Sequence, residues 1–489
     1  MSYEAAITSM YALGHELAQT PSHKFDLAHM RVLLAALGNP EQRSPGVLIA
    51  GTNGKGSTAA ALGSILCASA LKTGLYTSPH MICINERIRV NGESISDEDF
   101  TALHDLVART AERLVSQGEL PWHPSFFEML TAIAFEHFAR ERVDLAVLEV
   151  GMGGRLDATN VIEPRVSVIT DISLDHQKYL GNTIGEIARE KVGIIRPGGV
   201  VVTLPQQPEA NDVIGNAILE LGAQAVSAVP YVPPVSPASA QYAVPGGLNE
   251  PRMSGSLTRA GRVEDTLPHS PGSKMARGGC VSRYPLRVMG KQIEVETSLV
   301  GRHQLRNVAL AIASAEELKK QGFAGITPDS IERGIRQTHW PGRFQVIPPK
   351  DGKPEYVFDA AHNPAGAWAL RSTLSAIYFS SSELSSTEED RPLTFIFGAM
   401  RDKAIAEMAE ILFPLAERVI ATRAENPRSA TPDEIRRAAS RISIEIEGTP
   451  DVASALRRGR ALAGPLGLVV ITGSIYIVGE AMRLLGVRI

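Results

Sequence analysis

The chain has 489 residues, a length that suggests two domains. Apolar residues make up 44% and charged residues 21%, which is the balance of a soluble globular enzyme. The net charge of -4 excludes a general attraction to nucleic acid or anionic lipid, so an anionic ligand needs a local site. The three cysteines, Cys67, Cys83 and Cys280, lack metal-type spacing, which excludes a disulfide framework and favours the cytoplasm. Residues 1–19 mix charged and polar residues with apolar ones, so we expect neither a signal peptide nor a membrane span.

The first half of the chain alternates helical and strand patterns. A helix that includes Met30 is predicted to end at Gly38-Asn39-Pro40. A short apolar strand at 47–50 runs into a Gly-rich turn, and a helix rich in Ala and Leu follows at 57–70. Alternation of this kind predicts right-handed crossovers and a mainly parallel sheet. Further buried strands are predicted at 145–150, 166–170 and 200–204.

The pattern breaks over 207–283, where Pro, Ser, Gly and Ala dominate 230–279, so we predict a partly mobile surface insertion without a chemical role. Regular structure is predicted to resume by Tyr284 and to include a helix at 304–319. A second alternating series predicts a smaller α/β domain, with 380–391 as an exposed loop. The predicted organisation is therefore a domain at 1–338, a linker at 339–342 and a domain at 343–489. The strands of the second series are predicted at 356–359, 393–397, 418–422 and 468–472.

The strongest local motif is the Gly-rich run at 51–58, between a predicted strand and a predicted helix. Its glycines let backbone N–H groups surround phosphate oxygens, and the helix N-terminus adds partial positive charge. Lys55 can neutralise the β- and γ-phosphates of a nucleotide, and the Ser57 hydroxyl can reach phosphate or metal. The run departs from the strict P-loop, because Ile49 replaces a glycine and no Ser or Thr directly follows the lysine. The alternative is a Gly-rich turn with a solvated lysine.

Two further positions suggest a metal site. Glu149 lies at the carboxyl end of a predicted buried strand, where parallel α/β folds place ligands. Its carboxylate oxygens are the kind of ligand that Mg²⁺ prefers. From the residues alone, Glu149 fits a capping or ion-pair role equally well. His176, which follows Asp175 after the next strand, is more often structural than ligating when it stands alone.

These motifs belong to ordered blocks that span nearly all of the chain outside 207–283. The blocks are residues 51–58, 77–80, 149–160, 175–176, 180–181, 190–191, 301–304 with Asn307, 340–343, 359–363, 397–403 and 472–476. Together they resemble the folylpolyglutamate synthase/dihydrofolate synthase family, which belongs with the muramyl-peptide (Mur) ligases. Ala360 is a departure, since the family more often has glycine there.

The resemblance implies an α/β fold, with an N-terminal P-loop-type ATPase domain on a mainly parallel sheet and a smaller C-terminal Rossmann-like domain. It also implies an ATP-dependent ligase that adds L-glutamate to a folate-type carboxylate through an acyl phosphate. ADP and phosphate would be the other products. The acceptor would be dihydropteroate, a reduced folate such as tetrahydrofolate, or both. The resemblance also implies a monomeric enzyme with no nucleic-acid or membrane partner.

The resemblance further implies roles for single residues. Mg²⁺ is the implied cofactor, with room for a monovalent cation such as K⁺, and Lys191 is the lysine that CO₂ carbamylates in the family. The implied ATP-binding residues are Asn53, Gly54, Lys55, Gly56, Ser57, Thr58, Asn307, Arg343 and Asp359, and the metal ligands are Ser78, Glu149 and His176. The implied folate-binding residues are Phe25, Asp26, Ser125, Phe126, Phe127, Glu128, Leu156, Asp157 and Ala158, and the glutamate-binding residues are His362 and Ser474. The implied catalytic residues are Lys55, His176, carbamylated Lys191 and Arg343.

Without the resemblance, most of these residues have structural alternatives. Phe126 and Phe127 would be core residues, and Lys191 would pair with Glu190 or a phosphate. Asp157, Ser474 and His362 would be a turn cap, a helix N-cap and a structural histidine.

Two other classes of protein also remain open. A small-molecule kinase would need the phosphate loop and Mg²⁺, but not a second domain that contributes Arg343 and Asp359. A nucleotide-driven switch would bind a protein partner and show negligible turnover of small molecules.

Overall fold

The computed structural model describes residues 1–14, 27–234, 274–276, 279–379 and 391–487. Phe25, Asp26, residues 380–390 of the loop predicted at 380–391 and most of the stretch 230–279 lie outside these residues. The helices are α1 Tyr3–Ala12, α2 Leu27–Ala36, α3 Lys55–Ala68, α4 Asp97–Ser116, α5 Phe126–Glu141, α6 Gln177–Leu180, α7 Ile184–Val192, α8 Pro208–Leu221, α9 Arg302–Lys320, α10 Pro328–Gln337, α11 Pro364–Leu374, α12 Ile405–Leu412, α13 Pro432–Ala438, α14 Val452–Ala463 and α15 Ile475–Leu485. The strands are β1 Gly46–Ala50, β2 Thr73–Tyr76, β3 Ile88–Val90, β4 Glu93–Ser94, β5 Leu145–Glu149, β6 Pro164–Ile169, β7 Val200–Thr203, β8 Gln224–Ser227, β9 Lys274–Ala276, β10 Gly279–Val288, β11 Lys291–Thr297, β12 Gln345–Ile347, β13 Glu355–Phe358, β14 Leu393–Phe397, β15 Arg418–Ala421, β16 Ile446–Gly448 and β17 Leu468–Thr472.

An eight-stranded sheet forms the N-terminal half, in the order β4-β3-β2-β5-β1-β6-β7-β8. Six neighbouring strands run parallel, namely β2, β5, β1, β6, β7 and β8. Strands β3 and β4 form an antiparallel edge. Every residue of β1 is buried, because helices cover both faces of the sheet. Val47 and Ile49 pack with α3, α9 and α10, whereas Leu48 and Ala50 pack with α2, α4 and α5.

A six-stranded sheet forms the C-terminal half, in the order β12-β13-β17-β14-β15-β16. Its strands are parallel except β12. Helices α11 to α13 pack on one face, and α14 and α15 pack on the other. The predicted α/β fold class is therefore confirmed, with a large parallel-rich sheet followed by a smaller mixed one.

A small antiparallel sheet, β11-β10-β9, accompanies the first half. Tyr284, Val288 and Val295 from its strands enter the same core as α9 and α10. Across the described ranges, no helix combines the length and the apolar character that a membrane crossing needs.

The sequence located the fully buried strands best. The ranges predicted for β14 and β17 agree with the structure. The prediction that regular structure stops at Gln207 is wrong, because α8 and β8 lie between Gln207 and Val229. Helix α8 buries only Ala210 and Ile214 fully, and β8 is a largely exposed edge strand, so neither produces a strong apolar pattern.

Candidate active site

A cavity of about 730 Å³ lies where the carboxyl ends of both large sheets meet. The segments that follow β1, β5 and β6 line it from one side, and those that follow β13, β14 and β17 line it from the other. Parallel α/β sheets bind ligands at this end. Thr58 is the one described residue of the predicted site that does not line the cavity. The predicted residues that line it are Asn53, Gly54, Lys55, Gly56, Ser57, Ser78, Ser125, Phe126, Phe127, Glu128, Glu149, Leu156, Asp157, Ala158, His176, Lys191, Asn307, Arg343, Asp359, His362 and Ser474.

The predicted phosphate loop, residues 51–58, connects β1 to α3 and includes the first turn of that helix. Gly54 caps α3 with φ 89°, and a Cβ there would lie 2.2 Å from Asn307 Oδ1, so this position excludes a side chain. The ammonium group of Lys55 folds back onto the loop and donates to the carbonyl oxygens of Gly51 (3.1 Å) and Thr52 (3.2 Å). The buried Ser57 hydroxyl has no hydrogen-bond partner in the described structure. A buried polar atom of this kind at a cavity wall suits a ligand oxygen or a metal.

The predicted metal ligands approach the loop from two sides. Glu149 ends β5, is 4% exposed and accepts a hydrogen bond from Ser78 N (3.1 Å). Burial raises the pKa of Glu149, and the charges of Lys55 and Arg343 oppose this shift. Among the described residues, no group of three or more His, Cys, Asp and Glu side chains could hold a metal by itself. The oxygens of Glu149, Ser78 and Ser57 nevertheless suit Mg²⁺, which commonly completes its shell with phosphate and water.

His176 lies opposite, as the N-cap of α6 in the left-handed region with φ 51°. Burial and the charge of Lys403 lower the pKa of His176 to about 3. The imidazole is therefore neutral at pH 7, which is the form that binds metals.

Lys191 projects from α7 and is 3% exposed. Its Nζ donates to the carbonyl oxygen of Gly51 (2.7 Å), directly below the phosphate loop. Burial, followed by the charge of Lys55, lowers the pKa of Lys191 to about 7. Glu190 forms an ion pair with Arg155 (2.9 Å) rather than the alternative pair with Lys191.

Arg343 and Asp359 bring the C-terminal half to the cavity. Asp359 accepts hydrogen bonds from Phe344 N and Ala361 N (2.9 Å each), so its carboxylate organises the turn. Burial raises the pKa of Asp359 to about 6 in spite of Arg343. Burial also lowers the pKa of Arg343, while the charges of Asp359 and Glu149 oppose the change. Arg343 thus lies among carboxylates of both halves.

A polar network across the cavity was not foreseen from the sequence. Lys403 Nζ lies 2.7 Å from Asp175 Oδ1. The Asn363 amide donates to Asp175 Oδ2 (3.1 Å) and to Asn53 Oδ1 in the phosphate loop (2.9 Å). Burial by itself would raise the pKa of Asp175, but its interactions with His176, Lys403 and His362 hold it well below its usual range. Asn53 is a predicted ATP-binding residue, whereas the sequence indicates no role for Asp175, Asn363 or Lys403 beyond their place in the family-like blocks.

The predicted folate wall is built around the start of α5. Ser125 and Glu128 form a capping box, with Ser125 N 2.8 Å from Glu128 Oε2. Phe126 is buried against Tyr11, with ring centroids 5.9 Å apart, and it also lines the cavity. A Cβ at Gly151 would lie 2.5 Å from the Phe127 ring, so glycine is needed at that contact. The wall therefore combines core packing with a surface open to the cavity.

The rest of the wall is the turn that follows β5. Asp157 accepts hydrogen bonds from Met152 N and Thr159 N (3.0 Å each). The predicted turn cap is therefore present, and burial raises the pKa of Asp157. Leu156 and Ala158 flank it along the cavity.

On the C-terminal side, Ser474 caps α15 and accepts a hydrogen bond from Tyr476 N (3.2 Å), as its structural alternative predicted. His362 Nδ1 lies 2.9 Å from the carbonyl oxygen of Ala360. Burial lowers the pKa of His362 to about 4, so this imidazole is also neutral at pH 7. Both side chains line the cavity.

Two further residues on α9 line the cavity although the sequence predicts no role for them. Arg306 forms an ion pair with Asp171 (2.6 Å) beside the phosphate loop. His303 is half-buried, and burial lowers its pKa to about 4. The run from Gly301 to Gln304 marked this helix start but did not indicate which side chains would point inward.

Comparison with known proteins agrees with this geometry. Residues 342–475 match the family model of the Mur ligase, glutamate ligase domain. The chain is 33% identical to a dihydrofolate synthase/folylpolyglutamate synthase of Bacillus subtilis, over 94% of each chain. It resembles the folylpolyglutamate synthase of Mycobacterium tuberculosis complexed with ADP, with a TM-score of 0.79, 29% identity and complete coverage of both chains. It also resembles an FPGS–AMPPCP–folate complex, with a TM-score of 0.74, 32% identity and coverage of 99% of this chain and 100% of the other.

A phosphate loop that faces a glutamate ligase domain across one cavity defines an ATP-dependent ligase of the Mur type. Within that class, the chain belongs to the folylpolyglutamate synthase/dihydrofolate synthase family.

Proposed function

We propose that this enzyme uses ATP to join L-glutamate to a folate-type carboxylate, with dihydropteroate, a reduced folate or both as acceptor. The observation that carries the proposal is the shared cavity, in which the phosphate loop, a wall of aromatic residues and the glutamate ligase domain meet. Family membership and the complexes of related enzymes with ADP, AMPPCP and folate support it.

The reaction needs activation, because a carboxylate does not condense with an amine at neutral pH. Transfer of the γ-phosphoryl group of ATP to the carboxylate makes the oxygen a leaving group, and this transfer depends on alignment and neutralised charge. Lys55 from one half and Arg343 from the other line the same cavity and would supply positive charge to the transferred group. Ser78, Glu149 and His176 would hold Mg²⁺, which offsets further phosphate charge when bound.

The acyl phosphate must then meet the amine of glutamate before it meets water. We place glutamate beside His362 and Ser474, on the side of the cavity formed by the C-terminal half. Attack of the amine on the acyl carbon gives a tetrahedral species, whose collapse releases phosphate and leaves the amide. Contact between the two halves around the cavity would limit hydrolysis.

The remaining assignments follow the same scheme. The side chains of Ser125 to Glu128 and of Leu156 to Ala158 would hold the pterin, and Asn307 and Asp359 would hold the nucleotide. Carbamylated Lys191 would be an anion below the phosphate loop, and K⁺ is a candidate for an additional ion.

We place the domain limits at 1–338 and 343–489, with 339–342 as the linker. We also propose that the enzyme is a monomer and that it acts in the cytoplasm.

The test is product analysis with ATP, Mg²⁺ and L-glutamate, with dihydropteroate in one reaction and tetrahydrofolate in another. ADP and phosphate should form in step with the amide, and only when acceptor and glutamate are both present. A small-molecule kinase would release ADP without glutamate, and a nucleotide switch would turn over neither acceptor. Phosphate release that is equally fast without a folate-type acceptor would refute the proposal.

A further inference from the structure

A second cavity, of about 290 Å³, lies at the contact between the two halves. We call it the side chamber. It shares Phe126, Arg428 and Tyr476 with the main cavity, so the two spaces adjoin. The N-terminal half also contributes Tyr11 and Arg87, and the C-terminal half contributes Arg483.

The side chamber adjoins residues of both predicted ends of the substrate site. Phe126 belongs to the proposed pterin wall, and it separates the main cavity from the chamber. Tyr476 is fixed by its backbone N–H, which donates to Ser474 in the proposed glutamate site (3.2 Å). A chain that runs from pterin to glutamate therefore passes the entrance of the chamber.

Three arginines and two glutamates line the chamber wall, and one of the arginines, Arg428, also pairs with Asp402 outside it (2.7 Å). Arg87 is 2% exposed, and its guanidinium lies 5.4 Å from the centre of the Phe126 ring. Arg483 is exposed to solvent at the chamber. Of the two glutamates, Glu480 is partly protected, and burial raises its pKa. The chamber is therefore suited to flexible groups that carry carboxylates.

We propose that the side chamber binds the γ-linked glutamate residues that a folate substrate already carries, and that it thereby sets the preferred length of the substrate chain. This inference rests on the proposed function. Each round of ligation adds one glutamate, yet the next reacting carboxylate must return to the same place beside Lys55. If the pterin stays against its wall, the intervening residues must leave the direct path. Each of them keeps a free α-carboxylate, which the arginines of the chamber would attract.

Arg483 allows a specific test, because it lines the chamber but has no part in the proposed chemistry. The variants are Arg483→Glu, Arg483→Lys and the control Arg457→Glu, which reverses an exposed charge on α14 outside both cavities. Kinetics are measured with tetrahydrofolate carrying one or three glutamates. Arg483→Glu should raise the KM for the triglutamate by about fivefold, as expected for the reversal of one exposed charge, and leave the monoglutamate KM unchanged. Arg483→Lys and Arg457→Glu should preserve the wild-type ratio of the two KM values.

Added salt should shrink the difference between Arg483→Glu and the wild type, because an exposed charge is screened. Equal KM changes for both substrates in Arg483→Glu, or no change in either, would overturn the proposal.

A binding experiment separates this proposal from the proposed function. A fluorescently labelled tri-γ-glutamate peptide is titrated into the wild type and into Arg483→Glu, with ADP and Mg²⁺ present. The wild type should bind the peptide, and Arg483→Glu should bind it several-fold more weakly. If the wild type performs the ligation but binds the peptide no better than the variant does, the proposal for the side chamber is refuted and the proposed function stands. A wild type that binds the peptide in an Arg483-dependent way but never forms the amide refutes the proposed function alone.

Discussion

The ammonium group of Lys403, in the C-terminal half, lies 2.7 Å from the carboxylate of Asp175, in the N-terminal half, and the side chains are only 9% and 8% exposed. The two residues are 228 positions apart in the chain. Asn363 extends this contact to Asn53 in the phosphate loop (2.9 Å). The ion pair therefore fixes the position of the glutamate ligase domain relative to the groups that bind the nucleotide.

We expect Lys403→Met to destabilise the contact between the two halves, because the buried charge of Asp175 loses its ammonium partner. Removing one member of a buried pair costs up to about 3–5 kcal/mol, and here less, since Asn363 still donates to Asp175. Ligation should slow by about tenfold or more as the cavity loses its alignment. Lys403→Arg should recover part of the activity. Urea unfolding at pH 7 and steady-state kinetics measure both effects, and a variant with wild-type stability and turnover would contradict the prediction.

The same pair predicts a pH dependence. The pKa of Asp175 is lowered in the folded state, so its ionised form contributes stability above the usual carboxyl range, and this contribution is lost as the pH falls below it. The difference in unfolding free energy between wild type and Lys403→Met should therefore be largest near neutral pH and shrink in acid. A difference that stays constant from pH 7 to pH 3 would argue against an ion-pair origin.

Lys55→Ala should keep the fold and lose turnover by about 10²-fold or more, because it removes a fixed charge from the phosphoryl-transfer site. Within the described part of the chain, its ammonium group donates only to Gly51 O and Thr52 O, so the stability effect should be small. Lys72→Ala is the matched control, since Lys72 forms an exposed pair with Glu141 away from the cavity. ADP release and thermal melting are measured for both. An active, folded Lys55→Ala would place the phosphate site elsewhere.

Lys191 should carry a carbamate in the active enzyme. Its pKa of about 7 leaves a large fraction of neutral amine at physiological pH, and that is the form that reacts with CO₂. Carbon-13 NMR with labelled bicarbonate should show a carbamate signal that Lys191→Ala lacks. Lys191→Ala should be nearly inactive, and a small carboxylic acid that fills the vacated space should restore part of the activity. A bare amine at Lys191 in active enzyme under ample CO₂ would show that its role is electrostatic.

In CO₂-free buffer, Lys191→Met should stabilise the fold by an amount that depends on pH. The pKa of Lys191 is about 7 in the folded enzyme, against 10.5 for an ordinary lysine in water, so below pH 7 the folded enzyme must bury an ammonium ion. The gain should be largest there, on the order of a few kcal/mol, and should disappear as the pH rises to about 10.5. Urea unfolding at pH 6, 8 and 10 tests this. A gain that does not vary with pH would indicate better packing rather than a removed charge.

Replacing residues 236–272 by a short Gly-Ser linker should leave melting temperature and ligation broadly unchanged, since this stretch has the composition of a surface insertion and no apolar periodicity. Extending the deletion to 230–279 should lower the melting temperature, because Tyr231 and Val232 pack against the core that includes α9. Loss of activity in a folded 236–272 deletion would mean that the stretch contributes to the site.

The sequence located those elements whose signal is local. Strands β14 and β17 are buried throughout, so each reads as a continuous apolar run between turn residues. The phosphate loop is equally local, because its glycines, Lys55 and Ser57 lie within one turn between strand and helix. Helix α8 and strand β8 were missed, since elements with little buried surface have little pattern.

The sequence by itself determined the fold class and, through ordered motifs, the family and the residues around one site. The tertiary structure decided which of these residues act on one another. Asp175 meets Lys403, and Phe126 and Tyr476 line the same side chamber, only because the carboxyl ends of two separately formed sheets face each other. Local periodicity does not encode such contacts, since they depend on how two complete cores pack together.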